Sequence, residues 1–485
     1  MMSRKLPAFA ILLLGACTVG PNYSRPATPV PPAYLEAHSI DALGDAELGS
    51  WWNGFGDQTL DALVNRALAQ NLDVETAASR IREARAEERA AGAAALPEVS
   101  TNGSVTRQRI SENAIPVPPG AGGGGGAGSF GLPGSEFTTW RAGFDASWEI
   151  DLFGKTRRSI EAAKARTGAS IWNRRDVQVS TAAEVASAYL ELRMLQQKIR
   201  IANAEVERQQ RSESLVRAKV QGGLVTGQDL AQQSSERGTA AASIPPLRAK
   251  ANVQIHKIGV LTGDSPEALL ADLSPAGALP SVPQVPAGLP SDLLRRRPDI
   301  RAAERNLAAS SADIGVATAD LYPSFSLSAA PALVSTALSS LITWGSRSFT
   351  ASASLDWPIF NGGRTRANIE AKNAKEAEAL IAYRKTILAS LQDVEDALVK
   401  IDNDRSGLGE LQEALGSARR AEDIARERYQ GGLVNLSDVL DAQGKRINLE
   451  NKVIETRGAE ALDTVALYKA LGGGWPDVGE AGAQQ

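Results

Sequence analysis

One cysteine and two histidines in 485 residues leave little room for metal or redox chemistry. A single cysteine excludes an intrachain disulfide, and with two histidines a Cys/His metal cluster is nearly excluded too. His38 and His256 lie far apart, and no serine or cysteine nucleophile motif stands near either, so the chain is not expected to be an enzyme. Aromatic residues are scarce at 5%, which suits closely packed, alanine-rich helices more than bulky cores. The net charge of −4 gives no basic footprint for nucleic acid. No run of 18 apolar residues follows residue 17, so no transmembrane helix is expected there. Phe153-Gly-Lys-Thr156 falls short of a phosphate loop, because Glu149 stands where glycine is required.

What is present is a chain written twice. Gln221-Gly-Gly-Leu-Val225 recurs as Gln430-Gly-Gly-Leu-Val434, an offset of 209. The same offset carries Trp148 onto Trp357 and Gly154-Lys-Thr-Arg157 onto Gly363-Arg-Thr-Arg366. Length alone would suggest about three domains. The repeat replaces that estimate with two homologous halves, neither of which need bury its own surface alone. The expected organisation is a signal peptide over 1–16, an anchor and extended tether over 17–56, and repeat 1 over 57–263. A Pro-rich linker over 264–290, repeat 2 over 291–472 and a tail over 473–485 complete it.

The lone cysteine has a telling context. Arg4 and Lys5 precede the apolar segment Leu6 to Ala16, which is too short to span a bilayer. Leu14-Gly-Ala-Cys17 resembles a bacterial lipobox. That resemblance implies cleavage before Cys17, a diacylglycerol thioether on its sulfur and an acylated amine; two or more acyl chains anchor stably where one does not. Thr18, in place of aspartate, implies sorting to the outer membrane. An ordinary signal peptide with an incidental cysteine is the competing reading. The tether that follows carries Pro21, Pro26, Pro29, Pro31 and Pro32 and reads as extended chain.

Two periodicities share the rest. A helical pattern from near Asp57 to Ala95 stops at Pro97. After a loop holding Gly122 to Gly126, Trp140, Ala142, Phe144, Ala146, Trp148 and Ile150 alternate with polar residues, a period of two. Phe349 to Trp357 repeats the alternation, with a strand at Phe325, Leu327 and Ala329 upstream and a weaker partner bearing Val99 and Val105. Each half therefore contributes a hairpin and the chain four strands. Helical pattern without proline then runs from Lys155 to about Val220 and from Thr365 to about Gln430, each roughly 100 Å if unbroken. Ile387, Val394, Ile401, Leu408 and Leu415 keep a seven-residue step, with Leu391 and Leu398 at the second seam position, which imposes a left-handed supercoil. Gly407 and Gly409 mark a candidate break. The Gly-Gly turns reverse the chain into return helices from about Gln228 to Leu261 and from about Ser437 to Leu471.

Strands with one apolar and one polar face fit a wall between lipid and water, and equally an antiparallel sheet half-buried on a soluble core. Four strands cannot close a barrel, and open edges are not viable in lipid. If these strands cross a membrane, several chains must share one barrel. A lipid anchor, paired hairpins and very long heptad helices together favour a barrel extended by a helical tube.

The chain resembles the outer-membrane factor family of tripartite export systems, TolC, OprM and their relatives, and most closely its lipidated NodT/OprM branch. The resemblance rests on Cys17-Thr-Val-Gly-Pro-Asn-Tyr23 with Pro26, Arg295-Arg-Arg-Pro-Asp-Ile-Arg301, Trp357-Pro-Ile-Phe-Asn-Gly-Gly363, and Gln430 to Val434 with Asp438-Val-Leu-Asp-Ala-Gln443. It implies an α+β membrane protein, lipid-anchored in the outer membrane and reaching into the periplasm. Four strands from each of three chains would make a 12-stranded barrel, and the coiled-coil helices an α-barrel. It further implies a passive exit duct for small molecules, energised by an inner-membrane pump of the RND type through a periplasmic adaptor, with no cofactor beyond the lipid on Cys17. The adaptor would meet the turns Gly222, Gly223, Leu224, Val225 and Gly431, Gly432, Leu433, Val434. Asp438 and Asp441, on one helix face, match the family's periplasmic constriction, while the first repeat keeps Asp229 but has Gln232. Exposed acids stabilised by a helix N-terminus are the plainer reading of the pair. Tyr429 matches the family's latch tyrosine and Asp229 its acidic partner; Val434 stands where the latch arginine would be, so the gate is expected to be held differently. Packing in the coil seam is the alternative for Tyr429. An exit duct of type I protein secretion is the alternative function, which the lipid anchor disfavours. A coiled-coil structural lipoprotein is the alternative from another class, and the alternating hairpins speak against it.

Overall fold

The computed structural model describes residues 18–35, 45–111, 136–285, 288 and 290–475. Cys17 with its lipobox, His38, and the run Gly122 to Gly126 lie outside the described residues. Along the chain the helices are α1 (Asp45–Gly49), α2 (Gln58–Gln70), α3 (Leu72–Ala93), α4 (Lys155–Gln221), α5 (Gly227–Ala242), α6 (Ile244–Leu261), α7 (Leu270–Leu273), α8 (Pro290–Arg296), α9 (Pro298–Ala319), α10 (Arg364–Gln430) and α11 (Leu436–Ala470). The strands are β1 (Glu98–Arg109), β2 (Glu136–Ile150), β3 (Ser324–Ser335) and β4 (Arg347–Asp356). Two compact units result, one from residues 1–24, 84–167 and 307–379, the other from 25–83, 168–306 and 380–485. Each unit draws on both repeats.

The first unit holds one antiparallel sheet in the order β1-β2-β3-β4. Its register places like with like: Val105 faces Trp140, Trp148 faces Leu327, and Leu327 faces Ala353. One face therefore gathers the apolar side chains of all four strands. On the other, Ser326 meets Ser354 and Ser328 meets Ser352, each pair of hydroxyls 2.7 Å apart. The apolar face is open: Val99, Phe144, Phe349 and Leu355 are all more than half exposed. A sheet packed on a soluble core would bury that face, so the half-buried reading fails for this chain. Pairing of β2 with β3 skips from Gly143–Ala332 to Ala146–Ala329. Pro331 sits in the gap, where it has no N–H to give the ladder. Gly143 is required beside it, since a Cβ there would lie 2.6 Å from both Ala332 Cβ and Pro331 O. The equivalent tryptophans do equivalent work. Trp148 Nε1 donates to Ala95 O at 3.0 Å and Trp357 Nε1 to Leu321 O at 3.1 Å, each carbonyl two residues before a proline.

The segment after the cysteine is strapped to this unit. Arg158 donates through Nε to Val19 O at 3.2 Å and through Nη2 to Asn22 Oδ1 at 2.6 Å. Gly20, at φ +86°, passes so near Gly315 that a Cβ would stand 2.5 Å from its Cα. These contacts give the Val19-Gly-Pro-Asn22 stretch its structural meaning.

The second unit is helical. Trp51 stacks on Tyr468 at 4.9 Å, and Phe55, Leu60, Tyr189, Ile258 and Leu467 are fully buried. Asp57 caps α2 through Thr59 N at 2.8 Å and accepts Tyr189 Oη–H at 2.7 Å. The helical pattern expected to run unbroken from Asp57 is two helices, because Asn71 turns the chain: its Oδ1 accepts from Asp73 N at 2.9 Å and its Nδ2 donates to Leu261 O at 2.9 Å. The first return helix is also split. α5 ends at Ala242 and α6 restarts at Ile244, with Pro245 and Pro246 in a first turn that needs no N–H donor.

α4 and α10 each run 67 residues without interruption. The break expected at Gly407 and Gly409 is absent. An interior glycine costs about 1 kcal/mol, less than the roughly 1.5–3 kcal/mol from burying one large seam residue such as Ile401 or Leu415. The seam follows the seven-residue step through Ile387, Val394, Ile401 and Leu415, but its second position is held by Ser390 and Ala397, with Leu391 and Leu398 only half-buried. Small residues let the facing helix come close, and Ser390 Oγ satisfies itself on Ile387 O at 2.7 Å.

Candidate gate at the paired helix turns

The two Gly-Gly turns close alike. Leu224 N donates to Lys219 O at 2.9 Å and Leu433 N to Arg428 O at 2.9 Å, with Gly223 and Gly432 both at φ +71°. This six-to-one bond ends a helix only if the residue before it is left-handed, hence glycine. Leu224 and Leu433 are left 76% exposed at the two tips.

Beyond the turns the copies differ. Thr226 and Asp229 form a capping box on α5: Asp229 Oδ2 accepts from Thr226 N at 2.9 Å and from Thr226 Oγ1 at 2.8 Å. Asp438 caps α11 in the same place, accepting from Asn435 N at 3.0 Å. Asp438 and Asp441 are both exposed, on the side of α11 opposite the buried Leu436, Val439 and Gln443. Tyr429 lies half-buried with Lys219 Nζ 4.4 Å from its ring centre. Its hydroxyl has no hydrogen-bond partner among the described residues. Burial, and after it the charge of Asp229, push that hydroxyl's pKa up. Tyr429 and Asp229 thus feel one another, while the Asp229 carboxylate is engaged by its own helix cap. Val225 and Val434 are partly buried beside the exposed leucines.

Sequence reasoning missed the layer above the turns. The seven-residue step that ends at Leu415 continues to Glu422 and then Tyr429, and Glu422 is buried. On α11 the buried positions Leu436, Val439, Gln443, Arg446 and Val453 keep heptad spacing, so Gln443 and Arg446 occupy seam sites. Arg446 donates to Glu422, to Glu450 Oε2 at 2.6 Å, and to Glu205 Oε2 on α4 at 2.9 Å. Gln209 on α4 donates to Gln443 Oε1 at 3.2 Å and accepts from Gln233 on α5. Arg208, Arg426 and Arg419 pair with Glu205, Glu422 and Glu450 from the flanks. The stepping rule carried one heptad further was the available signal.

The sequence pattern of the outer membrane efflux protein family matches residues 63–260 and 289–473, most of the chain. The chain belongs to the outer membrane efflux protein family. The pyoverdine export outer membrane protein OpmQ of Pseudomonas aeruginosa is 35% identical over 96% of this chain and 96% of its own length. Nodulation protein T of Rhizobium leguminosarum bv. viciae is 31% identical over 98% of this chain and 94% of its own. The solved outer-membrane channel OprN superposes with a TM-score of 0.87 at 32% identity, covering 95% of this chain and 100% of that one. This efflux protein is accordingly an outer-membrane channel, mostly helical, with four strands per chain. Among its described helices none is long and apolar enough to cross a membrane.

Proposed function

We propose that three copies of this chain form a 12-stranded β-barrel continued by a helical tube, a passive and non-enzymatic exit duct for small molecules. The observation that carries this is the sheet: four strands with one exposed apolar face and two unpaired edges, β1 and β4. Unpaired backbone in lipid costs several kcal/mol per group, and closure with neighbouring copies removes both edges at once. The duct carries no energy source of its own. An RND-type inner-membrane pump supplies it through a periplasmic adaptor seated on the turns of Leu224 and Leu433. Asp438 and Asp441 from three copies put six carboxylates round one aperture, a ring that favours cations and resists closing when ionised. Tyr429 and Asp229 sit behind that ring. A lipid on Cys17 holds the assembly in the outer membrane, and no other cofactor is needed. Crosslinking in mild detergent tests the shared barrel: a band at three times the chain mass is expected, and a purely monomeric protein that still conducts would overturn it.

A further inference from the structure

The α10–α11 hairpin is joined to α4 by a polar contact that no packing requirement explains. Arg446 and Glu205 expose only 6% and 5% of their side chains, and Glu422 only 5%. They occupy seam positions of the kind that Val394, Ile401, Leu415 and Val453 fill with apolar side chains. A buried polar layer in a coiled coil gives up stability and fixes register. It also makes a junction that parts in one step, because a charge left without its partner is strongly disfavoured in the interior. Glu205, Glu422 and Glu450 converge on one guanidinium, two of them from other helices, and each has a more exposed arginine at its flank. Without Arg446, two buried carboxylates from α4 and α10 would face each other across the seam with only Arg208 and Arg426, each on the carboxylate's own helix, to neutralise them.

We propose that Arg446 is the latch that holds the α10–α11 hairpin against α4 near the turns. This rests on reading Asp438 and Asp441, on the same helix, as the aperture. Release of the Arg446–Glu205 contact frees α11 to move with its aspartates while the Arg446–Glu422 and Arg446–Glu450 contacts keep the hairpin itself together. The accompanying Gln209–Gln443 bond is neutral and follows.

The test uses the full-length protein in planar bilayers. Arg446→Met should raise opening frequency or conductance at least about fivefold. Glu205→Gln keeps the side-chain shape and leaves Arg446 its other two partners; it should open the channel alone, and carries the test if Arg446→Met does not fold. The double variant should add little to Arg446→Met, since that change already removes the Glu205 contact. High salt should not mimic them, because the pair is shielded from solvent. Asp438→Ala with Asp441→Ala is the control. If that control alters conductance and Glu205→Gln does not, the aperture stands and the latch is overturned. If Glu205→Gln opens the channel and the control is silent, the latch stands and the aperture lies elsewhere. Variants that melt earlier yet conduct as the parent does would also overturn the latch.

Discussion

Asp404 on α10 lies against Asp463 and Glu460 on α11. Burial first, then the charge of Asp463 and then of Glu460, push its carboxyl up to about 6, and burial also raises Asp463. Below pH 4 both folded and unfolded chains hold the Asp404 proton. Between pH 4 and about 6 only the folded chain does, so stability falls as pH rises through that window and stays lower above it. Asp404→Asn should therefore melt a few degrees higher than the parent at pH 7, with the gap closing toward pH 4, as followed by thermal unfolding in detergent. Neither this pair nor the Arg446 layer was legible in the sequence. Charged residues on a heptad helix read as solvated faces, and only the continued step from Leu415 to Glu422 says otherwise. That Asp438 and Asp441 share one exposed face of α11 was legible from their spacing. Asp229 was half legible: Thr226-Gly-Gln-Asp229 spells a capping box, and that engagement keeps its carboxylate from serving Tyr429 alone.

At the scale of elements, the long helices were plain because proline is missing from 155–221 and 364–430 and the seam repeats through them. Interruptions were harder. Glycines that look like breaks are spanned in α10, whereas Asn71 and Ser243, which look harmless, end helices because a side-chain cap and a proline pair act there. β1 gave little signal, since Thr101 and Gly103 separate Val99 from Val105 on its apolar face, and the strand is fixed by its neighbour β2 more than by its own pattern. The crossing of β2 and β3 joins the two repeats, and it depends on Gly143. Gly143→Val would drive a side chain into Ala332 and the Pro331 carbonyl, where the obstacle is backbone and cannot rotate away. A loss of about 1–3 kcal/mol or more is expected. It should appear as lost heat-resistance of the β-structure on unboiled gels, while Gly103→Val, with only a carbonyl at 4.0 Å, should be tolerated.

For the molecule as a whole, the sheet and the helical hairpins make one fold, which the solved channel OprN shares over 95% of this chain. Cys17→Ser should abolish palmitate labelling while the protein still folds and trimerises, because the strap from Val19 to Asn22 is held by Arg158 and not by lipid; loss of folding in that variant would contradict this. The strap has a further consequence, in time. Its two walls come from the two repeats: Arg158 follows the first hairpin, and Gly315 precedes the second. Contacts so distant in sequence form late. Residues 18–24 precede both walls in the chain, and their seat exists only once Gly315, early in the second repeat, has packed beside Arg158. The docking of Gly20 against Gly315 therefore reports that the second repeat has joined the first.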